Sequence, residues 1–130
     1  MTVAIVDSTF IMHLFRRYQP AITWFDSNQR FSITSISWME VMVGVPNKRA
    51  QSESLDLLDG FEILFVTDAD QRWAMEQIKR LRFSNSNSNS TMLNDALIAA
   101  VAYRLQVPLY THNLKDMTPM IGTLAVKPYA

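Results

Sequence analysis

The stretch NDALIAAVAYRLQVPLYTHN, residues 94–113, decides the fold class that the sequence predicts. Apolar residues with helical spacing, among them Leu97 and Val101, predict a helix over residues 93–106 with Asp95 in its first turn. A short apolar strand follows at residues 107–110, with a Thr-x-Asn sequence directly after it. A helix that passes at once into a buried strand indicates an α/β chain, in which crossover helices connect parallel strands.

The same alternation of strands and helices continues through the rest of the chain. Short apolar or alternating runs predict further strands at residues 3–6, 31–34, 61–66 and 124–126. Further helices are predicted over residues 10–18, 21–28, 38–43, 50–58 and 68–81. We therefore predict one domain over residues 1–130, with a three-layer α/β/α architecture, a central, mostly parallel sheet and right-handed crossovers.

Polar residues in front of the predicted helices are candidate N-caps, because their side chains accept hydrogen bonds from the first free backbone amides. Pro20 is expected to mark the end of the first helix. The expected caps are Ser8 and Thr9 for the first helix if Asp7 has another role, Ser35 or Ser37 for the helix at 38–43, and Thr67 or Asp68 for the long helix.

The stretch FSNSNSNSTM, residues 83–92, interrupts the alternation. Ser and Asn side chains compete with regular backbone hydrogen bonding, so residues 84–90 are predicted to form a surface loop. Tolerated variation in loop length is the explanation that the composition favours. A flexible rim beside a substrate is the alternative.

Composition narrows the possible functions. The 130 residues contain no cysteine, which excludes a disulfide framework, a zinc ribbon and a cysteine nucleophile. The formal net charge is zero, so a nucleic-acid function has to depend on local basic patches or on metal ions. No apolar stretch approaches the ~20 residues that a membrane helix needs, and we expect a cytoplasmic protein that does not associate with membranes.

Four acids follow predicted strands or begin the elements after them. Asp7 ends the segment AIVDST, Asp95 begins the late helix, Glu40 follows the strand at 31–34, and Asp116 follows the strand that ends near Thr111. Each has a structural explanation by itself: a helix cap, a partner of the helix dipole, a solvated helix residue and a turn residue, respectively. Because the carboxyl ends of parallel strands meet at one edge of the sheet, we expect these acids to cluster there.

Clustered carboxylates repel one another unless a cation lies among them. Oxygen ligands suit hard divalent cations, and Mg²⁺ commonly uses one or two protein carboxylates together with water and phosphate oxygens. Zinc is disfavoured because cysteine is absent and His13 and His112 have no paired spacing. The cluster therefore indicates Mg²⁺ or Mn²⁺ chemistry on phosphates.

With these segments in place, the chain resembles the PIN domain ribonucleases, and specifically the VapC-type toxins of bacterial and archaeal toxin–antitoxin pairs. Residues 94–113 are the most specific part of the resemblance. The other three segments that carry it are AIVDSTFIMHLF (residues 4–15), TSISWMEVMVG (34–44) and THNLKDM (111–117).

The resemblance implies that Asp7, Glu40 and Asp95 are the three principal acids of the site. Members of the family place an Asp or Asn after the Thr-x pair and often another acid three residues later, and these positions here hold Asn113 and Asp116. Asn cannot supply negative charge, so Asp116 is the better candidate for the fourth carboxylate. Thr9 stands where the family often has Asn or Ser, which leaves substrate contacts open.

The same resemblance implies a metal-dependent endoribonuclease. Asp7 and Asp95 are expected to hold the main Mg²⁺, with Glu40 and Asp116 completing the anionic pocket directly or through water. Ser8 and Thr111 are either supporting residues that orient the acids or simple helix caps, and Asn113 is a further supporting residue. Whether the site holds one ion or two stays open. The expected partners are RNA, a second copy of the chain and a cognate antitoxin that covers the acidic pocket.

Two alternatives belong to other functional classes. A PIN-like scaffold could bind RNA or protein without cutting, although none of the four acids is lost. A receiver-like regulatory domain also groups acids around Mg²⁺, but it needs a lysine after a late strand, and Lys115 is poorly placed for that role. A nucleotide-binding enzyme ranks lower, because the three glycines are scattered and form no phosphate-binding loop. The sequence leaves the RNA target open.

Overall fold

Five parallel strands form the centre of the computed structural model, which describes residues 4–27, 30–84 and 89–129. The strands in this part of the chain are β1 (Ile5–Val6), β2 (Ser32–Thr34), β3 (Glu62–Leu64), β4 (Leu109–Tyr110) and β5 (Ala125–Val126). They pair in the order β3-β2-β1-β4-β5, and every neighbouring pair is parallel. The predicted parallel sheet is confirmed, with β1 at its centre.

Seven α-helices and one 3₁₀ turn surround the sheet in the described ranges. They are α1 (Ser8–Phe15), α2 (Gln19–Ser27), α3 (Ser35–Val43), α4 (Lys48–Leu58), α5 (Asp68–Leu81), α6 (Asn89–Leu105), α7 (Leu114–Ile121) and the 3₁₀ turn Gly122–Leu124. The first helix ends at Phe15, and Pro20 lies in the first turn of α2, where a proline costs no backbone hydrogen bond. Residues 3 and 28 of the predicted elements lie outside the described residues.

Alternate residues of β1 face two different cores, because successive side chains of a strand point to opposite faces. Val6 belongs to a core with residues of α1, α2, α3 and α4, including Phe10 and Val41. Ile5 belongs to a second core with residues of α6 and α7, including Val101 and Met117. The three-layer α/β/α architecture is therefore confirmed. Among the described residues, no helix is long and apolar enough to cross a membrane.

The helix caps differ from those expected at two of three positions. Asp7 itself caps α1 by accepting a hydrogen bond from the Phe10 amide at 3.2 Å, and Ser8 and Thr9 lie within the helix. Thr34 caps α3 by accepting from the Ser37 amide at 3.1 Å, so neither Ser35 nor Ser37 is the cap. In both cases the last extended residue of a strand is the cap, because its backbone already has the conformation that a cap needs.

The third cap was among those expected. Thr67 begins α5 as part of a capping box, in which the Thr67 hydroxyl accepts from the Asp70 amide at 3.1 Å and the Asp70 carboxylate accepts from the Thr67 amide at 2.9 Å. The pattern Thr-Asp-Ala-Asp at residues 67–70 is the sequence signature of this reciprocal pair.

Two further expectations about the end of the chain are wrong. Helix α6 begins at Asn89, so Asp95 lies in its second turn and the helix dipole does not account for this acid. Residues 89 and 90 of the predicted Ser/Asn loop belong to this helix, and residues 85–88 lie outside the described residues. Asp116 is in the first turn of α7, a helix that the short and mixed sequence LKDMTPMI did not predict, and so it is not a turn residue.

Candidate functional site

Asp7 lies at the carboxyl end of β1 and is buried, with 8% of its surface exposed. Its carboxylate accepts hydrogen bonds from the Phe10 amide at 3.2 Å and from the Thr111 side chain. Burial raises the pKa of Asp7, and these hydrogen bonds oppose that rise. Asp7 therefore combines the cap that holds α1 with a buried carboxylate at the edge of the sheet.

Asp95 is the electrostatic centre of the predicted acid cluster. It is 9% exposed on α6, and its Oδ2 accepts a hydrogen bond from the Asn113 side-chain amide at 3.0 Å. The pKa of Asp95 is raised to about 7. Burial is the largest cause, and the charges of Asp116, Glu40 and Asp7 contribute the rest of the rise. Asp7, Glu40 and Asp116 are thus each close enough to act on Asp95, as the topology of the sheet led us to expect.

Glu40 and Asp116 approach Asp95 from different helices. Glu40 lies on α3 and accepts a hydrogen bond from the side-chain amide of Asn94 at 3.2 Å. Asp116 lies on α7, and its buried Oδ1 has no hydrogen-bond partner among the residues that the structure describes. A buried carboxylate oxygen without a partner is unusual and marks a place where a cation or a water is required.

Asn94 is a site residue that the sequence did not reveal. It precedes Asp95 on α6, and its amide holds Glu40 of α3 in place across the cleft. In the sequence, only its position next to Asp95 could have indicated that Asn94 belongs to the site. An asparagine in the first turns of a helix is otherwise ordinary.

The supporting residues lie where the sequence placed them. Thr111 is fully buried; its side chain bonds to Asp7, and its hydroxyl also accepts from the Asn113 amide at 3.0 Å. Asn113 donates to Asp95, so it holds a carboxylate rather than replacing one. Ser8 lines an open cleft next to Glu40 and Asn94.

The donor set fits Mg²⁺ or Mn²⁺ as an open site. Besides burial, the charges of three neighbouring carboxylates raise the pKa of Asp95, and Oδ1 of Asp116 has no hydrogen-bond partner among the described residues. Within the described ranges, no three histidine, aspartate or glutamate side chains are placed to hold one ion together. Mg²⁺ is commonly bound through one or two carboxylates and keeps several waters, so a group of three protein ligands is not required for it.

Asp95 is expected to make the metal-free protein less stable as the pH rises. A folded pKa of about 7, above the ordinary 3.8, contributes stability that is fully present below about pH 4 and is lost as the pH rises through 7. In EDTA, Asp95→Asn should therefore gain about 2 to 4 kcal/mol in free energy of unfolding over the wild type between pH 5 and pH 8. Urea denaturation at the two pH values measures this difference. If the free energies of unfolding of the two proteins changed equally with pH, the pKa of Asp95 would not be raised in the folded protein.

Basic side chains are candidates for contact with substrate phosphates, but several of them already have protein partners. Arg49 and Lys79 pair with acids on their own helices at 3.1 Å. Arg80 donates to the Pro119 carbonyl oxygen at 2.9 Å and thereby lies against α7, the helix of Asp116. Arg82 lies over the Phe83 ring at 4.7 Å, and Arg16 ends α1. Arg80 has the most direct contact with an element of the acid site.

The chain belongs to the PIN domain family, whose model matches residues 4–115. The resemblance inferred from the four sequence segments is therefore confirmed at the level of the family. No curated protein matches the chain.

Solved structures with the same fold include several toxin–antitoxin proteins. A toxin–antitoxin complex from Klebsiella pneumoniae is similar at a TM-score of 0.77 and 25% identity, over 97% of this chain and 98% of that chain. VapBC2 from Rickettsia felis, bound to a DNA fragment from its promoter, is similar at a TM-score of 0.75 and 19% identity, over 93% of this chain and 95% of that chain. The VapC20 toxin of Mycobacterium tuberculosis, which cleaves the sarcin–ricin loop, is similar at a TM-score of 0.68 and 16% identity, over 89% of this chain and 94% of that chain.

Proposed function

We propose that this chain is a single PIN-like domain over residues 1–130 that acts as a Mg²⁺-dependent endoribonuclease and as the toxin of a toxin–antitoxin pair. The observation that carries the proposal is the set of four carboxylates coupled through Asp95, with its pKa raised to about 7. Membership of the PIN family and the similarity to the Klebsiella pneumoniae toxin–antitoxin complex support it.

In this proposal Asp7 and Asp95 hold the metal ion, and Glu40 and Asp116 complete the anionic pocket directly or through water. When bound, Mg²⁺ or Mn²⁺ supplies an activated water and stabilises the charge that develops on the phosphate. Asp95 has to be ionised for this role, and because its pKa is about 7, protons compete with the metal below neutral pH.

The remaining residues position the acids. The hydrogen bonds of Thr111 to Asp7 and of Asn113 to Asp95 orient two carboxylates from a single loop. Asn94 orients Glu40 from the neighbouring helix. Such contacts to ligating carboxylates commonly matter nearly as much as the ligands themselves.

An open cleft beside the acids provides room for an RNA chain. Ser8, Glu40 and Asn94 supply polar groups to this cleft, whose other walls are apolar. The cleft widens to the surface instead of closing around a small ligand, which suits cleavage within a polymer. RNA is the substrate that we propose, on the basis of membership of the PIN family, and its sequence has to be mapped.

The experiment that tests this function is expression of the wild type and Asp95→Asn in a bacterial host, followed by mapping of RNA 5′ ends. We expect growth arrest and discrete new ends only with the wild type. Identical RNA profiles for the two proteins would contradict the nuclease assignment, and the positions of the ends would otherwise identify the target.

A non-catalytic scaffold is the second candidate, because no three acid or histidine side chains in the described residues are placed to share a metal ion. Binding of RNA by purified protein without Mn²⁺ binding or cleavage would favour it. The receiver-like alternative has lost its basis, since the chain belongs to the PIN family.

For its partners, we propose a cytoplasmic protein that forms a homodimer and binds an antitoxin. An apolar groove between α1, α3 and α4 is a suitable antitoxin surface, and Ile11, Phe15 and Val45 are among the residues that line it. The apolar residues of α1 and α2 contribute mainly to the core: Phe10 and Ile11 are buried, and Leu14, Trp24 and Phe25 pack against it. Exposed apolar side chains in the described residues include Met39 (48% exposed), Val43 (86%) and Phe65 (70%).

Replacing Phe65 is expected to break the proposed dimer. Phe65 and Met39 line the same apolar pocket with Trp38 and Ile63, and a charged side chain there opposes burial against a second copy. Phe65→Glu should elute with the mass of one 14.9 kDa chain in size-exclusion chromatography with light scattering, whereas the wild type has twice that mass. Met75→Glu, on the exposed side of α5, is the matched control. A wild type of monomer mass would exclude the dimer.

A further inference from the structure

The segment after β5 is connected to the acid site through Tyr129. The main-chain oxygen of Tyr129 accepts a hydrogen bond from Nε2 of His112 at 3.1 Å, and the two rings lie at 4.7 Å in an edge-to-face arrangement. His112 is the middle residue of the loop 111–113 that follows β4. The two neighbours of His112, Thr111 and Asn113, are the residues that contact Asp7 and Asp95.

The ring of Tyr129 is itself fixed on the first two helices. Its hydroxyl lies 2.5 Å from Nδ1 of His13 on α1, the helix that Asp7 caps. Its ring packs against Phe10 at 6.2 Å and Trp24 at 5.9 Å, both members of the aromatic core or packed against it. Burial raises the pKa of Tyr129 to about 12 and lowers the pKa of His13, so a neutral hydroxyl and a neutral imidazole share this hydrogen bond.

These contacts form one continuous path from the rigid core to the acids. The core holds the Tyr129 ring, the Tyr129 main chain holds His112, and the residues on either side of His112 hold Asp7 and Asp95. Asp7 follows β1, and Asp95 is on α6. The loop 111–113 contacts both carboxylates, through Thr111 and Asn113 respectively.

We propose that Tyr129 and His112 form an anchor that fixes the loop 111–113 and thereby sets the spacing of Asp7 and Asp95 for metal binding. Tyr129 is a positioning residue in this inference and touches neither metal nor substrate. The inference rests on the proposed metal-dependent function, and it adds two residues to the site that the sequence had not connected with it.

The test measures Mn²⁺ binding by isothermal titration calorimetry to metal-free protein at pH 7.5. Tyr129→Ala removes the ring that fixes the segment, and His112→Ala removes the hydrogen-bond donor. Each should weaken Mn²⁺ binding about tenfold, the lower range for residues that orient metal ligands. His112→Gln keeps an N–H donor at a similar reach and should recover most of the affinity.

Two comparisons separate positioning from general destabilisation. Phe25→Leu perturbs the same aromatic core, where the described ring contacts of Phe25 are with Phe10, Phe31 and Phe61 and not with the loop 111–113. It should lower the melting temperature with unchanged Mn²⁺ affinity. The double variant Tyr129→Ala/His112→Ala should bind Mn²⁺ as weakly as either single variant, because both remove the same anchor.

Amide hydrogen exchange supplies a measurement that needs no metal. The Asn113 amide donates to the Thr111 hydroxyl, and we expect its exchange to be at least tenfold faster in Tyr129→Ala than in Phe25→Leu. If Tyr129→Ala bound Mn²⁺ as tightly as the wild type and its Asn113 amide exchanged at the wild-type rate, the anchor would be overturned, but the proposed metal site would not. A wild type that binds no Mn²⁺ would overturn the metal site, and the role of the anchor in metal binding with it.

Discussion

Asp95→Asn is expected to abolish Mg²⁺-dependent cleavage of RNA by the purified protein while the fold is retained. The substitution keeps the shape of the side chain and its ability to accept from Asn113, but it removes the charge at the centre of the acid cluster. Loss of metal-assisted charge stabilisation corresponds to a fall in rate on the order of 10²- to 10³-fold or more. Cleavage of a total RNA preparation with and without EDTA measures the effect.

Asp56→Asn is the matched control for this experiment, since Asp56 is an exposed aspartate on α4. It should cleave RNA like the wild type. Asp7→Asn should lose activity as well, and it should additionally weaken the cap of α1, because an asparagine accepts the Phe10 hydrogen bond without charge. Wild-type rates in both Asp95→Asn and Asp7→Asn would contradict the assignment of the site, even if the protein proved to be a nuclease.

The sequence predicted the sheet and the clustering of the acids because both follow from strong local patterns. Apolar runs such as residues 3–6 and 107–110 have few alternatives to buried parallel strands. Once the strands are placed, topology brings residues that follow them to one edge, so Asp7 and Asp95 could be associated without knowledge of side-chain contacts.

The contacts that orient the acids were less accessible, because they join residues far apart in the chain. Asn94 holds Glu40 across 54 positions, and His13 meets Tyr129 across 116. No local pattern specifies such pairs. Helix α7 was missed for a different reason: Pro119 and the short length of the helix hide the helical period, although its packing in the second core stabilises it.

The role of Asp7 shows how one residue can satisfy two patterns. The sequence suggested that capping and metal binding were alternatives, with capping left to Ser8 and Thr9. In the structure Asp7 caps α1, and its burial still raises its pKa, so the cap does not exclude the metal-binding role that we propose for the same carboxylate. The helix N-terminus supplies one fixed hydrogen bond, which also fixes the orientation of the carboxylate.

Arg104→Met is expected to reduce the free energy of unfolding at pH 7 by about 3 kcal/mol, the lower end for removing one partner of a buried ion pair. Asp70 is 1% exposed, and Arg104 donates to its two oxygens at 2.9 and 3.1 Å, joining α5 to α6, the helix of Asp95. Without Arg104, Asp70 stays buried with only the Thr67 hydrogen bonds. The lower end applies because the Arg104 side chain is 36% exposed and partly screened by water.

The pH dependence of this loss has a defined sign. Burial acts to raise the pKa of Asp70, but the hydrogen bonds from Arg104 and Thr67 outweigh it and hold the pKa below the ordinary 3.8. The ion pair therefore contributes stability above about pH 4, and this contribution is lost as the pH falls through the folded pKa. Urea denaturation should show the full difference between Arg104→Met and the wild type at pH 7 and a difference that shrinks as the pH is lowered below about 4.

An exposed ion pair within α5, the helix of Asp70, supplies the control for Arg104→Met. Arg72 bonds to Asp68 at 3.3 Å with both side chains largely in water, so Arg72→Met should change stability little or not at all. The double variant Asp70→Asn/Arg104→Met should recover part of the loss, because it leaves no buried charge unpaired. If Arg104→Met cost no more than Arg72→Met, the Asp70–Arg104 pair would not be what holds α5 against α6, and the apolar contacts between these helices would have to account for their packing.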